Sequence, residues 1–94
     1  MKIIGKVKQL CAVETGSGVN GDWIRQTLVV ETLGERPKCV AVTFFGQERV
    51  EALASIGEGV ILVEVDCDIE SREHEGRWYT EARGYKLKTY GEAK

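Results

Sequence analysis

Four carboxylates stand at alternate positions in the second half of the chain, and carboxylates are common ligands of divalent cations. They are Glu64, Asp66, Asp68 and Glu70. On a β-strand, residues two apart share a face at intervals of about 6.6 Å, whereas a magnesium site needs two or three ligands that converge on one point. The spacing therefore predicts a charged strand face and no metal centre.

Nucleophilic and zinc-binding side chains are few and scattered. The single histidine, His74, lies between two glutamates, and Cys11, Cys39 and Cys67 form no Cys-x-x-Cys pair. Zinc sites and nucleophile–base pairs need such groups in a recognisable local context. We therefore predict a protein that is not an enzyme, holds no metal or cofactor, takes no small-molecule substrate and keeps its thiols reduced.

A glycine-rich run at residues 16–21 (GSGVNG) matches the Gly-x-Gly-x-x-Gly pattern of dinucleotide sites. That pattern binds pyrophosphate where it opens a helix, and the residues that follow it here have the composition of a strand. The dinucleotide interpretation is therefore rejected. The polar, glycine-rich composition instead predicts a flexible loop over residues 14–22.

Aromatic and basic side chains are the pattern that most favours a binding function. Nucleic-acid bases stack on aromatic rings at about 1–3 kcal/mol per base with little regard to sequence, and basic groups neutralise the phosphates. The candidate stacking residues are Phe45, Trp23, Trp78 and Tyr79. The candidate phosphate contacts are Arg25, Lys38, Arg72, Arg77 and Arg83. Each aromatic has an alternative role in the core, and each basic residue has one on a solvated surface.

Strand periodicity assigns some of these aromatics to a face. Phe44 is in phase with Val40 and Val42, so it is predicted to lie in the core, and Phe45 is predicted to point the other way. Trp78 and Tyr79 are neighbours, so we expect one to pack inward and the other to face a groove or a partner subunit. The sequence leaves open which of the two packs inward.

The composition is that of one globular domain. The chain has 94 residues, 43% hydrophobic and 30% charged, with 13 basic and 15 acidic residues and a formal charge of −2. We therefore predict a single domain over residues 1–94. No apolar run reaches the roughly 18 residues of a membrane span, and the amino terminus becomes charged early, so we expect a cytoplasmic protein with no membrane partner. The negative net charge does not indicate a nucleic-acid partner, so any nucleic-acid binding needs a local patch of basic residues.

Five strands and one helix are predicted from periodicity. The strands cover residues 2–13, 23–32, 38–45, 61–70 and 77–89. Residues 47–56 carry apolar side chains at spacings of three and four, with Gly57 placed to end a helix. This order, with a helix between strands 3 and 4, is that of the all-β, five-stranded OB-fold Greek-key barrel.

Three segments carry a resemblance to a known family. They are 42–46 (VTFFG), 56–60 (IGEGV) and 77–80 (RWYT). Together they resemble bacterial single-stranded-DNA-binding proteins and their small OB-fold relatives without an assigned function. In that family an aromatic–glycine pair ends strand 3, a glycine turn opens strand 4, and a hairpin leads to an aromatic–threonine strand 5. The resemblance covers about residues 38–88.

The resemblance implies a role and an assembly. It places Phe45 as the stacking aromatic, single-stranded DNA or RNA as the partner, and a homodimer or homotetramer as the assembled form. In such a barrel strand 1 neighbours strand 4, so Lys2, Lys6 and Lys8 are expected opposite the carboxylate run as cross-strand ion pairs.

The alternative is a protein-interaction or assembly module on the same barrel, because one fold hosts unrelated functions. Exposed aromatics surrounded by arginine would favour nucleic acid. Aromatics buried at a subunit interface, with carboxylates in the groove, would favour the assembly module.

Overall fold

The computed structural model describes residues 1–19, 21–57 and 59–91, apart from the side chain of Ile61. Asn20 of the predicted loop, Glu58 of the predicted turn and residues 92–94 lie outside that description. The strands are β1 (Lys2–Leu10), β2 (Glu14–Gly18), β3 (Gly21–Thr32), β4 (Cys39–Phe45), β5 (Val60–His74) and β6 (Arg77–Gly91). Between β4 and β5 lie helix α1 (Gln47–Ala52) and a 3₁₀ turn (Leu53–Ser55).

Five of these strands close into a barrel. β1 pairs antiparallel with both β3 and β5, β3 pairs with β4, and β5 pairs with β6. The ring is completed by a parallel pairing of β4 with β6, through Val42–Ala82, Thr43–Arg83 and Phe44–Gly84. A closed five-stranded sheet with this connectivity is the OB-fold, which confirms the predicted architecture.

The predicted flexible loop over residues 14–22 is wrong, because the described part of it is a β-hairpin. β2 pairs with the start of β3 from Glu14–Arg25 to Gly18–Gly21. The indole of Trp23 lies directly against Gly16, where a Cβ would overlap the ring. The hairpin adds a strand before the barrel's second strand, so the helix follows the fourth strand in chain order instead of the third.

The core follows the predicted alternation. Phe44, Val42, Leu28 and Val30 are buried from one side of the barrel, and the inward residues of β5 meet them. Those residues are Val63, Val65 and Cys67. The predicted core position of Phe44 is therefore confirmed. Fully burying each large apolar side chain stabilises the fold by about 1.5–3 kcal/mol.

The helical segment closes one end of the barrel. Gly46 has a φ of 99°, which only glycine adopts without strain, and this turn directs the chain from β4 into α1. Val50 and Leu53 are the buried residues of the segment, as their spacing of three predicts. No helix in the described part of the chain has the length and apolarity needed to cross a membrane.

The hairpin of β5 and β6 extends beyond the barrel. All residues from 68 to 80 are exposed, and in this stretch β5 and β6 pair with each other. We call residues 68–80 the arm. Both strands run further than predicted, β5 to His74 and β6 to Gly91, because the β5–β6 ladder continues from the Val60–Gly91 pair to the His74–Arg77 pair.

The carboxylate run has different partners from those predicted. Lys2 alone of the three lysines lies opposite it, with its Nζ 3.6 Å from Oε2 of Glu64. Lys6 pairs instead with Glu31 of β3, and Lys8 falls at an irregularity of the β1–β3 ladder. The prediction fails for Lys6 and Lys8 because β1 leaves β5 and joins β3 near Gly5.

The three thiols differ in burial, which predicts an order of reactivity. Cys39 is exposed, Cys11 is partly buried and Cys67 is fully buried. Burial raises the pKa of the Cys67 thiol, and the thiolate is the form that reacts. In a thiol-labelling time course at pH 8, we expect Cys39 to react first and Cys67 only on unfolding. Labelling of Cys67 in the native protein would contradict the closed barrel.

Candidate nucleic-acid interface

Six of the nine candidate residues lie on one outer face, which is formed by β3, β4, β5 and β6. Because Leu28 and Val42 point into the barrel, strand alternation turns Trp23, Arg25 and Phe45 outward. We call the set that continues across this face the aromatic–arginine strip. Its members are Trp23, Arg25, Phe45, Arg83, Arg72 and Tyr79.

Phe45 and Arg83 form the centre of the strip. The Arg83 guanidinium carbon lies 4.3 Å from the centroid of the Phe45 ring, the geometry of a cation–π contact. Phe45 is half-buried, and Arg25 is its register partner on β3. Beside them, the hydroxyls of Thr27 and Thr43 are 3.2 Å apart. These side chains are short and project little from the sheet. A planar group placed here would meet an aromatic ring already paired with a cation.

Trp23 and Arg25 repeat this pattern at the β2–β3 hairpin. The Arg25 guanidinium carbon is 5.1 Å from the Trp23 ring centroid, and 42% of Trp23 is exposed. Gly16 lets the indole lie flat on the hairpin, which gives the glycine-rich run a structural role in place of phosphate binding. Here also an arginine accompanies an exposed ring.

An open cleft of about 700 Å³ lies between the hairpin and the start of α1. Trp23 and Phe45 both line it, together with Asp22 and Gln47. Ser17 donates a hydrogen bond to Oδ1 of Asp22 at 2.8 Å. Clefts of this size hold small ligands or single groups of larger ones.

The arm carries the last aromatics, and the prediction that one of them packs inward is wrong. Trp78 is 69% exposed and Tyr79 is 50% exposed, because the arm stands clear of the barrel. Tyr79 is the register partner of Arg72, which places it on the face of the strip. Trp78 is the register partner of Glu73, and both point to the other face of the ribbon, away from Tyr79 and Arg72.

Two predicted phosphate contacts lie away from Phe45. Lys38 immediately precedes β4, so it is at the opposite end of that strand from Phe45. Since β4 and β6 run parallel, this is the side toward which the arm extends. Arg77 pairs with His74 at the end of the arm. The basic residues therefore form a long path with no single cluster.

Carboxylates that the sequence analysis did not connect with the site neutralise most of its arginines. Arg25 Nη2 is 3.0 Å from Glu14, and Arg83 Nε is 3.4 Å from both Glu70 and Glu81. Arg72 Nη2 is 3.5 Å from Glu81. The signals that could have found these partners are the β2–β3 and β5–β6 registers, which the sequence alone does not supply. The strip is therefore an alternation of rings and paired charges.

Comparison with known proteins identifies the family. A family model described as a domain of unknown function, DUF3127, matches residues 2–88. The chain belongs to the DUF3127 family. No curated protein matches the sequence.

Solved structures show which fold this DUF3127 member shares. The mitochondrial single-stranded DNA binding protein Rim1 of S. cerevisiae superposes with a TM-score of 0.73 at 14% identity, over 99% of this chain and 96% of that chain. The small single-stranded DNA-binding protein of Streptomyces coelicolor gives a TM-score of 0.51 at 18% identity, over 96% and 92%. At these identities the likeness establishes the OB-fold alone.

Proposed function

We propose that this protein binds single-stranded nucleic acid, with DNA as the first candidate, on the aromatic–arginine strip and without catalysing a reaction. The observation that carries the proposal is the Phe45 ring with the Arg83 guanidinium over it, next to the second pair of Trp23 and Arg25. A base can stack on each ring when the accompanying arginine moves from over the ring to a phosphate. That two proteins of this fold are single-stranded-DNA binders supports the choice of ligand.

The ion pairs determine how such binding would respond to salt. Each phosphate neutralised contributes a slope of about −0.7 to the log–log dependence on salt, so five contacts would give about −3.5. Arg25, Arg72 and Arg83 must first exchange a carboxylate for the phosphate. The freed carboxylate takes up cations, which offsets part of the release. We therefore expect a slope shallower than −3.5 but clearly negative.

Intrinsic fluorescence tests the proposal, because the two tryptophans, Trp23 and Trp78, are both exposed. We would titrate the protein with oligo-dT at about 20 mM and about 300 mM salt. We expect saturable quenching that weakens at the higher salt. Unchanged fluorescence at the lower salt, confirmed by an anisotropy measurement on labelled oligo-dT, would refute nucleic-acid binding.

A specific observation also favours the assembly module as a second function. The strip's charges are largely balanced internally, and the opposite face of the arm exposes Trp78 and Ile69. A two-stranded ribbon is marginally stable alone, so a second copy covering this face would stabilise it. Sedimentation of the wild type against Trp78→Ser, read with the oligo-dT titration, tests this role. A dimer or tetramer that binds no oligo-dT and dissociates in the variant supports it, and a monomeric wild type contradicts it.

A further inference from the structure

A pocket next to Phe45 brings the predicted phosphate contact Arg83 together with Arg49 and Tyr85, which belong to no predicted site. It has a volume of about 410 Å³ and is lined by Arg49, Arg83, Tyr85, Asp68 and Glu70. Arg83 connects it with the strip, because the same guanidinium lies over the Phe45 ring. Arg49 and Tyr85 also line the neighbouring depression along α1, where Lys86 adds a further cation.

An irregularity of the β5–β6 ladder places Tyr85 in this pocket. Asp66 pairs with Lys86 and Cys67 pairs with Gly84, so Tyr85 is an extra residue of β6 without a partner on β5. Such a β-bulge changes the direction of a side chain and is frequent beside functional sites. Here it brings a phenol, a donor suited to an anionic oxygen, to the wall shared with Arg49 of α1.

The net charge of the pocket is zero while the Glu70 side chain lies in it. Arg49 and Arg83 contribute two positive charges, and Asp68 and Glu70 contribute two negative charges. Glu70 Oε2 lies 3.4 Å from Arg83 Nε and is itself exposed, so its side chain can leave toward water. Glu81 also lies 3.4 Å from Arg83 Nε, but it is shared with Arg72 at 3.5 Å, so the Glu81 and Arg72 charges cancel. The departure of Glu70 therefore leaves one net positive charge, which one phosphodiester anion balances.

We propose that Arg49, Arg83 and Tyr85 form a phosphate subsite in which the Glu70 carboxylate takes the place of the phosphate while no strand is bound. The proposal rests on the proposed function and extends it to a defined unit: the base stacks on Phe45 and an adjoining phosphate enters the pocket. Each guanidinium group can bind phosphate through a pair of hydrogen bonds, and the tyrosine hydroxyl can donate one more. Binding at this point is an exchange of one anion for another.

Two charge-removing substitutions test the subsite with opposite expected signs. Binding of labelled oligo-dT is measured by anisotropy between about 20 and 300 mM salt. Arg49→Gln should weaken binding by about three- to tenfold at the lower salt and make the salt slope less negative by about 0.7, the loss of one phosphate contact. Glu70→Gln should strengthen binding and make the slope steeper. Tyr85→Phe should weaken binding in the same direction as Arg49→Gln, with the slope unchanged, because no charge is lost.

Matched controls separate a local effect from overall charge. Arg36→Gln and Glu35→Gln make the same charge changes in the exposed segment between β3 and β4, outside the pocket, and should leave the slope at the wild-type value. If Arg49→Gln matches Arg36→Gln, or if Glu70→Gln matches Glu35→Gln, the subsite is refuted while binding on the strip stands. If the wild type binds no oligo-dT at the lower salt, the proposed function fails and the subsite fails with it.

Discussion

Phe45→Ala is expected to raise the Kd for oligo-dT by roughly 5- to 150-fold, since stacking of one base on an aromatic ring is worth about 1–3 kcal/mol. The ring is half-buried on the outer face of β4 and supports the Arg83 guanidinium at 4.3 Å. The substitution removes both the surface on which a base would stack and the ring that the Arg83 guanidinium contacts. The barrel interior on the other face of β4 is unchanged, so the fold should persist. The measurement is a fluorescence or anisotropy titration at about 20 mM salt.

Tyr90→Ala is the matched control for this substitution. Tyr90 is 39% exposed and has the Lys88 ammonium 5.4 Å from its ring centroid, so it is also an exposed aromatic accompanied by a cation. It lies near the end of β6, outside the strip. We expect its loss to leave the Kd within about twofold, as for surface substitutions away from a contact. Equal effects of the two substitutions would show that the strip is not the binding surface.

Gly5→Ala is expected to have the largest effect on stability. Gly5 is buried and pairs with Thr32 of β3 on one side and with Val63 of β5 on the other, so it lies where β1 joins the two edges of the barrel. A Cβ there would overlap the carbonyl oxygen of Glu31 and press on Val30. Backbone cannot rotate away as a side chain can. We expect a loss of about 3 kcal/mol, the upper end for overpacking, and a Tm lower by roughly 12–24 °C.

Gly57→Ala supplies the comparison, because a Cβ at Gly57 meets nothing within 4 Å. Thermal unfolding followed by circular dichroism should give a Tm close to that of the wild type for Gly57→Ala. The same substitution at Gly5 should lower the Tm strongly or prevent folding. A Gly5→Ala protein as stable as Gly57→Ala would mean that β1 and β3 do not approach as closely as the structure shows.

The barrel could be predicted from the sequence because its strands carry local signals. Val63, Val65 and Cys67 alternate with charged residues, and all three are buried. The outward direction of Phe45 followed from the same period of two, once Phe44 was assigned to the core. These features depend on the residue and its immediate neighbours, so periodicity is sufficient to find them.

The β2 strand and the arm could not be predicted in the same way. Residues 14–18 have the composition of a loop, and what holds them in a hairpin is a cross-strand contact, the Trp23 indole on Gly16. Trp78 and Tyr79 have the alternation of a barrel strand, but periodicity does not show that the ribbon leaves the barrel. The bulge that exposes Tyr85 exists only in the pairing of two strands. Each of these features is a relation between distant residues.

The parallel pairing of β4 with β6 has a consequence for how the chain folds. It joins Val42 to Ala82, roughly 40 residues apart, and contacts of such sequence separation slow the search for the native state. Until β6 has been synthesised, the edge of β4 that carries the buried residues Val42 and Phe44 has no strand to pair with. The nascent protein therefore exposes an apolar strand edge from the synthesis of β4 until that of β6, which places its aggregation risk before closure of the barrel.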